Sequence, residues 1–213
     1  PVVSSAWVEL PTDLAVYPNA GAPGATAGPL LDAGAAHTCA IVNTQWSASD
    51  PGTYPLVGRA VACWGANADG RSVPSESAEP PAPTLGTPTL VDLRSGSVPV
   101  DLALGGSHSC ALMADGSVNC WGANDHAQVL GDYASDRAPV KQVFIRQMEP
   151  GETVRSIVAG ADHSCALTSR GRVACWGSNG LGKIGNGSPG PEAVPATVVA
   201  LGKDVDAVGL DAG

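Results

Sequence analysis

The residues of this 213-residue chain best equipped for chemistry come in repeated sets. His37 precedes Cys39, His108 precedes Cys110 and His163 precedes Cys165, and each set is followed by a Cys-Trp pair: Cys63-Trp64, Cys120-Trp121 and Cys175-Trp176. Imidazole beside thiol can ligate metal, activate a thiolate or flank a disulfide. His108 and Cys110, two apart on a strand, share one face, so a Cys-Cys-His zinc set is one reading. The chain has no Cys-x-x-Cys, however, and supplies no repeated fourth ligand for a closed site. Reduced, buried cysteines acting as small apolar side chains are a second reading, and disulfides a third. His108-Ser109 and His163-Ser164 point to opposite strand faces and cannot pair with each other. A catalytic constellation is single and asymmetric, whereas these histidines occupy one repeat position. They are expected to be hydrogen-bonded to turn backbone, and Trp64, Trp121 and Trp176 to pack between repeats. No catalytic residue, metal or cofactor is expected.

The elements that must position these groups are written three times. The stretch GSHSCALMADGSVNCWG (106–122) returns as GADHSCALTSRGRVACWG (160–177), and in interrupted form from Gly34 to Gly65. Marker glycines Gly34, Gly105, Gly160 and Gly213 lie 71, 55 and 53 residues apart, with Leu31, Leu102, Ile157 and Leu210 each three residues earlier. Every unit reads as four short strands: an apolar run, the His-Ser/Thr-x-Ala strand, the Cys-Trp-Gly strand after a turn, and a last run near 88–93, 138–145 or 195–201. Four strands per unit of fifty-odd residues predict an all-β chain and a β-propeller. It would be partial: three complete four-stranded blades plus flanking strands of incomplete blades. The expected organisation is an N-terminal strand and linker over 1–29, with 7–10 as the strand, then repeats at about 30–97, 98–152 and 153–204, and 205–213 opening a fourth. A three-residue turn Ala114-Asp115-Gly116, with Gly116 left-handed, sets Cys110 opposite Cys120. The same register sets Cys165 opposite Cys175, and repeat symmetry then pairs Cys39 with Cys63.

The pattern Gly-x-x-His-(Ser/Thr)-x-Ala-(Leu/Ile), a Gly-containing turn, then Val-x-x-Trp-Gly-x-Asn resembles the regulator-of-chromosome-condensation repeat. Gly105 to Asn124 and Gly160 to Asn179 carry it, and Gly34 to Asn67 less regularly. The resemblance implies a propeller, usually of seven blades. Two departures stand out: only three complete repeats are present, and each holds a cysteine pair.

Composition narrows the function. Gly 27, Pro 18, charged residues 15% and aromatics 4% suit a turn-rich β protein rather than long helices. A net charge of −9 repels phosphate backbones and disfavours nucleic acid as a partner. No run approaches the ~20 apolar residues of a transmembrane helix, and the absence of an initiating Met suits a processed product or a segment of a longer gene. Disulfides would place the protein outside the cell, in a periplasm or at a cell surface. Off the repeat grid lie the segments 44–58, 68–86 and 123–137, expected to project from one rim, with 68–86 partly mobile. They carry Trp46, Tyr54, His126 and Tyr133, the candidate interface residues. The reading is a non-catalytic extracellular or cell-envelope protein-interaction or structural module, completed by a protein partner or by further copies or segments. The alternative the resemblance implies is a secreted enzyme inhibitor or enzyme-associated propeller, like the β-lactamase-inhibitory propellers.

Overall fold

The structure is a computed structural model describing residues 14–15, 31–44, 58–75, 80–129, 136–187, 190 and 193–213. Its strands, in chain order, are β1 (Leu14–Ala15), β2 (Leu31–Ala33), β3 (His37–Thr44), β4 (Gly58–Ala66), β5 (Thr84–Val91), β6 (Pro99–Leu104), β7 (His108–Met113), β8 (Val118–Ala123), β9 (Arg137–Gln142), β10 (Val154–Ala159), β11 (His163–Thr168), β12 (Val173–Gly177) and β13 (Val194–Val198). They form three antiparallel sheets: β2 to β5 with β1 added, β6 to β9, and β10 to β13. Each sheet is one blade, and consecutive blades stack face to face as in a propeller.

Local chemistry explains each hairpin. The β7–β8 turn is three residues long, Gly116 sits at φ +82°, and Met113 N–H donates to the Ser117 carbonyl at 2.8 Å. Register then follows: Leu112 faces Val118, Cys110 faces Cys120, and His108 faces Gly122. After each Trp the strand breaks register at Gly65, Gly122 or Gly177, all at φ +103° to +109°. A side chain on Gly122 would sit 2.7 Å from the Ser107 carbonyl. The bulge therefore requires glycine in both conformation and space.

Strand alternation divides each blade into a forward and a backward face. The cores lie between blades. Cys39, Ile41, Val61 and Cys63 of the first blade meet Leu102, Ala111, Met113 and Trp121 of the second. Cys110, Leu112, Val118 and Cys120 of the second meet Ile157, Ala166 and Trp176 of the third.

Two differences from the sequence expectations have simple causes, while the strand expected at 7–10 lies outside the described residues. Beside the first blade, Leu14–Ala15 pairs with Thr44 and Asn43. Residues 84–86, assigned to a loop, open β5 and pair with Ala66 and Gly65. The variable segments also leave from two rims rather than one. The segment 45–57 joins the far ends of β3 and β4, whereas 67–83 and 124–136 join β4 to β5 and β8 to β9 at the opposite ends. Antiparallel connectivity forces this: links after the second and third strands of a blade exit on opposite sides.

Candidate functional site

All six cysteines are paired: Cys39–Cys63, Cys110–Cys120 and Cys165–Cys175. This leaves no thiolate for metal or nucleophilic chemistry. Each disulfide joins directly opposed residues of a hairpin and faces forward, in a core against the next element.

The histidines do not bond to turn backbone. His37 Nε2 lies 2.8 Å from Ser109 Oγ of the second blade, and His108 Nε2 lies 2.7 Å from Ser164 Oγ of the third. The His-Ser neighbours of the sequence face away from each other, as strand alternation requires, and each pairs instead with its counterpart one blade along. At the first interface the direction is fixed. Ser109 O–H donates to the Arg71 carbonyl at 2.7 Å, so its oxygen accepts from His37 Nε2–H. His37 is thus neutral, with its lone pair on Nδ1. Among the described residues, Nδ1 of His37, His108 and His163 is buried without a hydrogen bond. Each ring lies over its own marker glycine: a side chain on Gly105 would sit 2.3 Å from His108 Cε1 and 2.5 Å from the Gly160 carbonyl. Burial, then the charge of Arg71, pulls His37 down to about 4. Burial pulls His108 down to about 3, with His37 and His163 adding like charge.

Other repeated groups are consumed in the same way. Trp121 Nε1–H donates to the Ser72 carbonyl at 3.2 Å and Trp176 Nε1–H to the Gln128 carbonyl at 2.9 Å, each into the preceding blade's loop. Asn67, Asn124 and Asn179 are buried and pin those loops from inside, accepting from Ser72 N–H (3.0 Å), Val129 N–H (3.1 Å) and Ile184 N–H (3.2 Å). Among the inter-blade contacts that lack a repeat signature are those of Arg71 and Asp101. Arg71 donates to the Gly106 carbonyl at 2.7 Å while its guanidinium is held by Asp69. The Asp101 carboxylate accepts from Leu102 N–H at 2.9 Å and from Ile157 N–H at 3.4 Å across the interface, and burial raises it to about 6. Arg71 and Asp101 were legible only as ordinary charged residues.

What remains for a partner lies off the grid. His126 is about one-third exposed on the rim between the second and third blades, with Nδ1 3.2 Å from Asp125 Oδ1. Leu181, two residues past Asn179 as His126 is past Asn124, is fully exposed at φ +65°. The sequence reading missed it, although an apolar residue between glycines in a polar loop was the available signal. Trp46, Tyr54 and Tyr133 lie outside the described residues. Among the described residues, the first blade also leaves its outward apolar position exposed. Leu31 is 52% exposed, whereas its counterparts Leu102 and Ile157 are 1% and 4%.

Stacked four-stranded blades with inter-blade ladders define a β-propeller segment. Two stretches, 100–128 and 154–183, match the model of the regulator of chromosome condensation (RCC1) repeat. Those two stretches are repeats of that family. The Arabidopsis thaliana ultraviolet-B receptor UVR8 is 31% identical over 163 residues, covering 76% of this chain and 35% of UVR8. Saccharomyces cerevisiae Prp20p, whose structure was described with its binding to Gsp1p and histones, superposes with a TM-score of 0.62 at 21% identity. The match covers 81% of this chain and 38% of Prp20p. Human WBSCR16 superposes at 0.59 and 20% identity, covering 80% and 37%. The chain thus spans little more than a third of the length of these relatives.

Proposed function

We propose that this chain is a non-catalytic protein-interaction segment of a propeller, acting in an oxidising compartment. One observation carries the reading: at the two described blade interfaces the repeated His, Ser, Trp and Asn side chains are engaged in holding blades and loops together. The contact residues are then those the repeats do not use. His126 and Leu181 share a rim with the segments 67–83 and 124–136, which makes that rim the favoured contact surface, with Tyr133 in its second segment. Trp46 and Tyr54 belong to the segment leaving the opposite rim. That relatives such as Prp20p are described with protein partners supports the class of function without naming a partner for this chain. Three forward-facing disulfides support a secreted, periplasmic or cell-surface setting, because reducing compartments seldom maintain them.

Cross-linking and pull-down from the native source, with two variant sets, tests this reading. His126→Ala with Leu181→Asp should abolish capture of a specific protein, while Trp46→Ala with Tyr54→Ala should leave it unchanged. The reverse pattern would move the surface to the opposite rim, and equal capture by both sets would remove support for a rim contact.

A further inference from the structure

The chain contains two Asn-Gly sequences in one loop, Asn179-Gly180 and Asn186-Gly187, and the structure treats them in opposite ways. In this dipeptide the glycine amide nitrogen can attack the asparagine side-chain carbonyl, since no Cβ on the second residue obstructs the approach. The attack needs the side chain to turn over the following peptide bond and water to take the amide proton.

Asn179 is shut away from water. It is fully buried, its Oδ1 accepts from Ile184 N–H at 3.2 Å, and its Nδ2 donates to the Gly190 carbonyl at 3.2 Å. Asn186 is exposed and is followed by Gly187 at φ +79°, with open space around that glycine. The same Asn179 Nδ2 also donates to Asn186 Oδ1 at 3.3 Å. Oδ1 is the atom on which negative charge develops when the Gly187 nitrogen adds to Cγ. A fixed N–H aimed at a developing oxyanion lowers the barrier to its formation.

We propose that Asn186 is a site of spontaneous covalent modification, assisted by the buried Asn179 amide and spared at Asn179 itself. The Gly187 amide proton passes to water and the nitrogen forms a bond to Asn186 Cγ. The tetrahedral oxyanion on Oδ1 then collapses, and the Cγ–Nδ2 bond breaks as Nδ2 takes a proton and leaves as ammonia. Water opens the resulting succinimide at either carbonyl, producing aspartate or isoaspartate. The loop gains one negative charge beside Lys183, which is paired with Asp162. Where isoaspartate forms, the backbone also gains a methylene in a loop pinned by Asn179. The protein therefore ages into chemically distinct forms at one defined rim position.

The test is peptide mapping by mass spectrometry of the intact disulfide-bonded chain, incubated at mildly alkaline pH, folded and in concentrated urea. In the folded protein a gain of about one dalton should appear at Asn186, with none at Asn179, and urea should make Asn179 reactive as well. Asn186 should react at least as fast folded as unfolded, because the Asn179 donor is present only in the fold. Gly187→Val should slow the reaction at Asn186 by an order of magnitude or more. Equal reaction of both asparagines in the folded chain would overturn the selectivity. Slower reaction of Asn186 folded than unfolded would overturn the assistance by Asn179.

Discussion

The blade interfaces should loosen in mild acid, and the histidines dictate the size of the effect. His37 and His108 are neutral in the fold, each with Nε2 hydrogen-bonded to a serine hydroxyl of the next blade and Nδ1 buried and unpartnered. Adding a second ring proton would place a buried charge on a ring whose Nδ1 has no acceptor. Their pKa values, near 6.5 when unfolded, fall to about 4 and about 3 in the fold. The unfolded chain thus binds protons that the folded chain does not. The contribution is complete above pH 6.5 and is lost as pH falls from there toward 4 and 3. Between pH 7 and pH 5 each histidine should remove about 2 kcal/mol. Asp101 opposes them: raised to about 6, it is protonated in the fold first and returns about 1 kcal/mol over the same interval. The net loss from these three groups is about 2–3 kcal/mol, and His163, also lowered by burial, adds to it in the same direction. Asp115, Asp125, Asp162 and Glu152, held below their usual range by hydrogen-bonding and charged partners, give up most of their contributions only at lower pH. Urea denaturation followed by tryptophan fluorescence at pH 7 and pH 5 measures the difference. The His37→Gln/His108→Gln variant should lose most of the pH dependence, and Asp101→Asn should steepen it. A double variant with the wild-type dependence would refute the reasoning, whatever its absolute stability.

Gly105→Ala should destabilise by roughly 3 kcal/mol or more, since its new carbon meets His108 and the Gly160 carbonyl inside 2.6 Å; Gly96→Ala, with nothing within 4 Å, should change thermal stability by well under 1 kcal/mol. Replacing Cys110 and Cys120 together by Ala should cost about 2–3 kcal/mol in urea midpoint analysis, and reductant should lower the wild-type melting temperature but affect this variant less. Asn124→Ala leaves the buried Val129 N–H without its acceptor and should cost about 1–3 kcal/mol, read as faster hydrogen exchange in the 124–129 loop.

Much of this fold is local, and that part was legible. A three-residue turn ending in a left-handed glycine fixes the β7–β8 register, and the register makes Cys110 and Cys120 neighbours without any tertiary information. The place of Trp121 and Trp176 between blades follows from their period, since a side chain repeated in every unit serves contacts repeated between units. The partners of the histidines were not legible in the same way. Alternation shows that His108 and Ser109 face opposite ways, but it does not show that blades stack with one blade's imidazole over the next blade's hydroxyl. That bond spans 72 residues for His37 and 56 for His108, a separation set by loop length, which varies between repeats. Arg71 was hidden for a related reason: it sits in the variable segment, where no second copy marks it as structural. The placement of 44–58 on the same rim as 68–86 was a misreading of information the sequence does contain, because strand parity alone separates them.

The inter-blade bonds also give the stack a direction. At both interfaces the imidazole belongs to the earlier blade and the hydroxyl to the later one, while the indole N–H of the later blade reaches back to a carbonyl of the earlier. Reversing one blade would set imidazole against imidazole and leave an indole donor buried without an acceptor, at a cost of a few kcal/mol. Apolar packing alone would not discriminate in this way, since both faces of a blade present residues such as Val, Ala and Leu. The polar ladder therefore selects order and orientation among similar blades. The same requirement explains why His, Trp and a hydroxyl-bearing residue recur in register in the repeats.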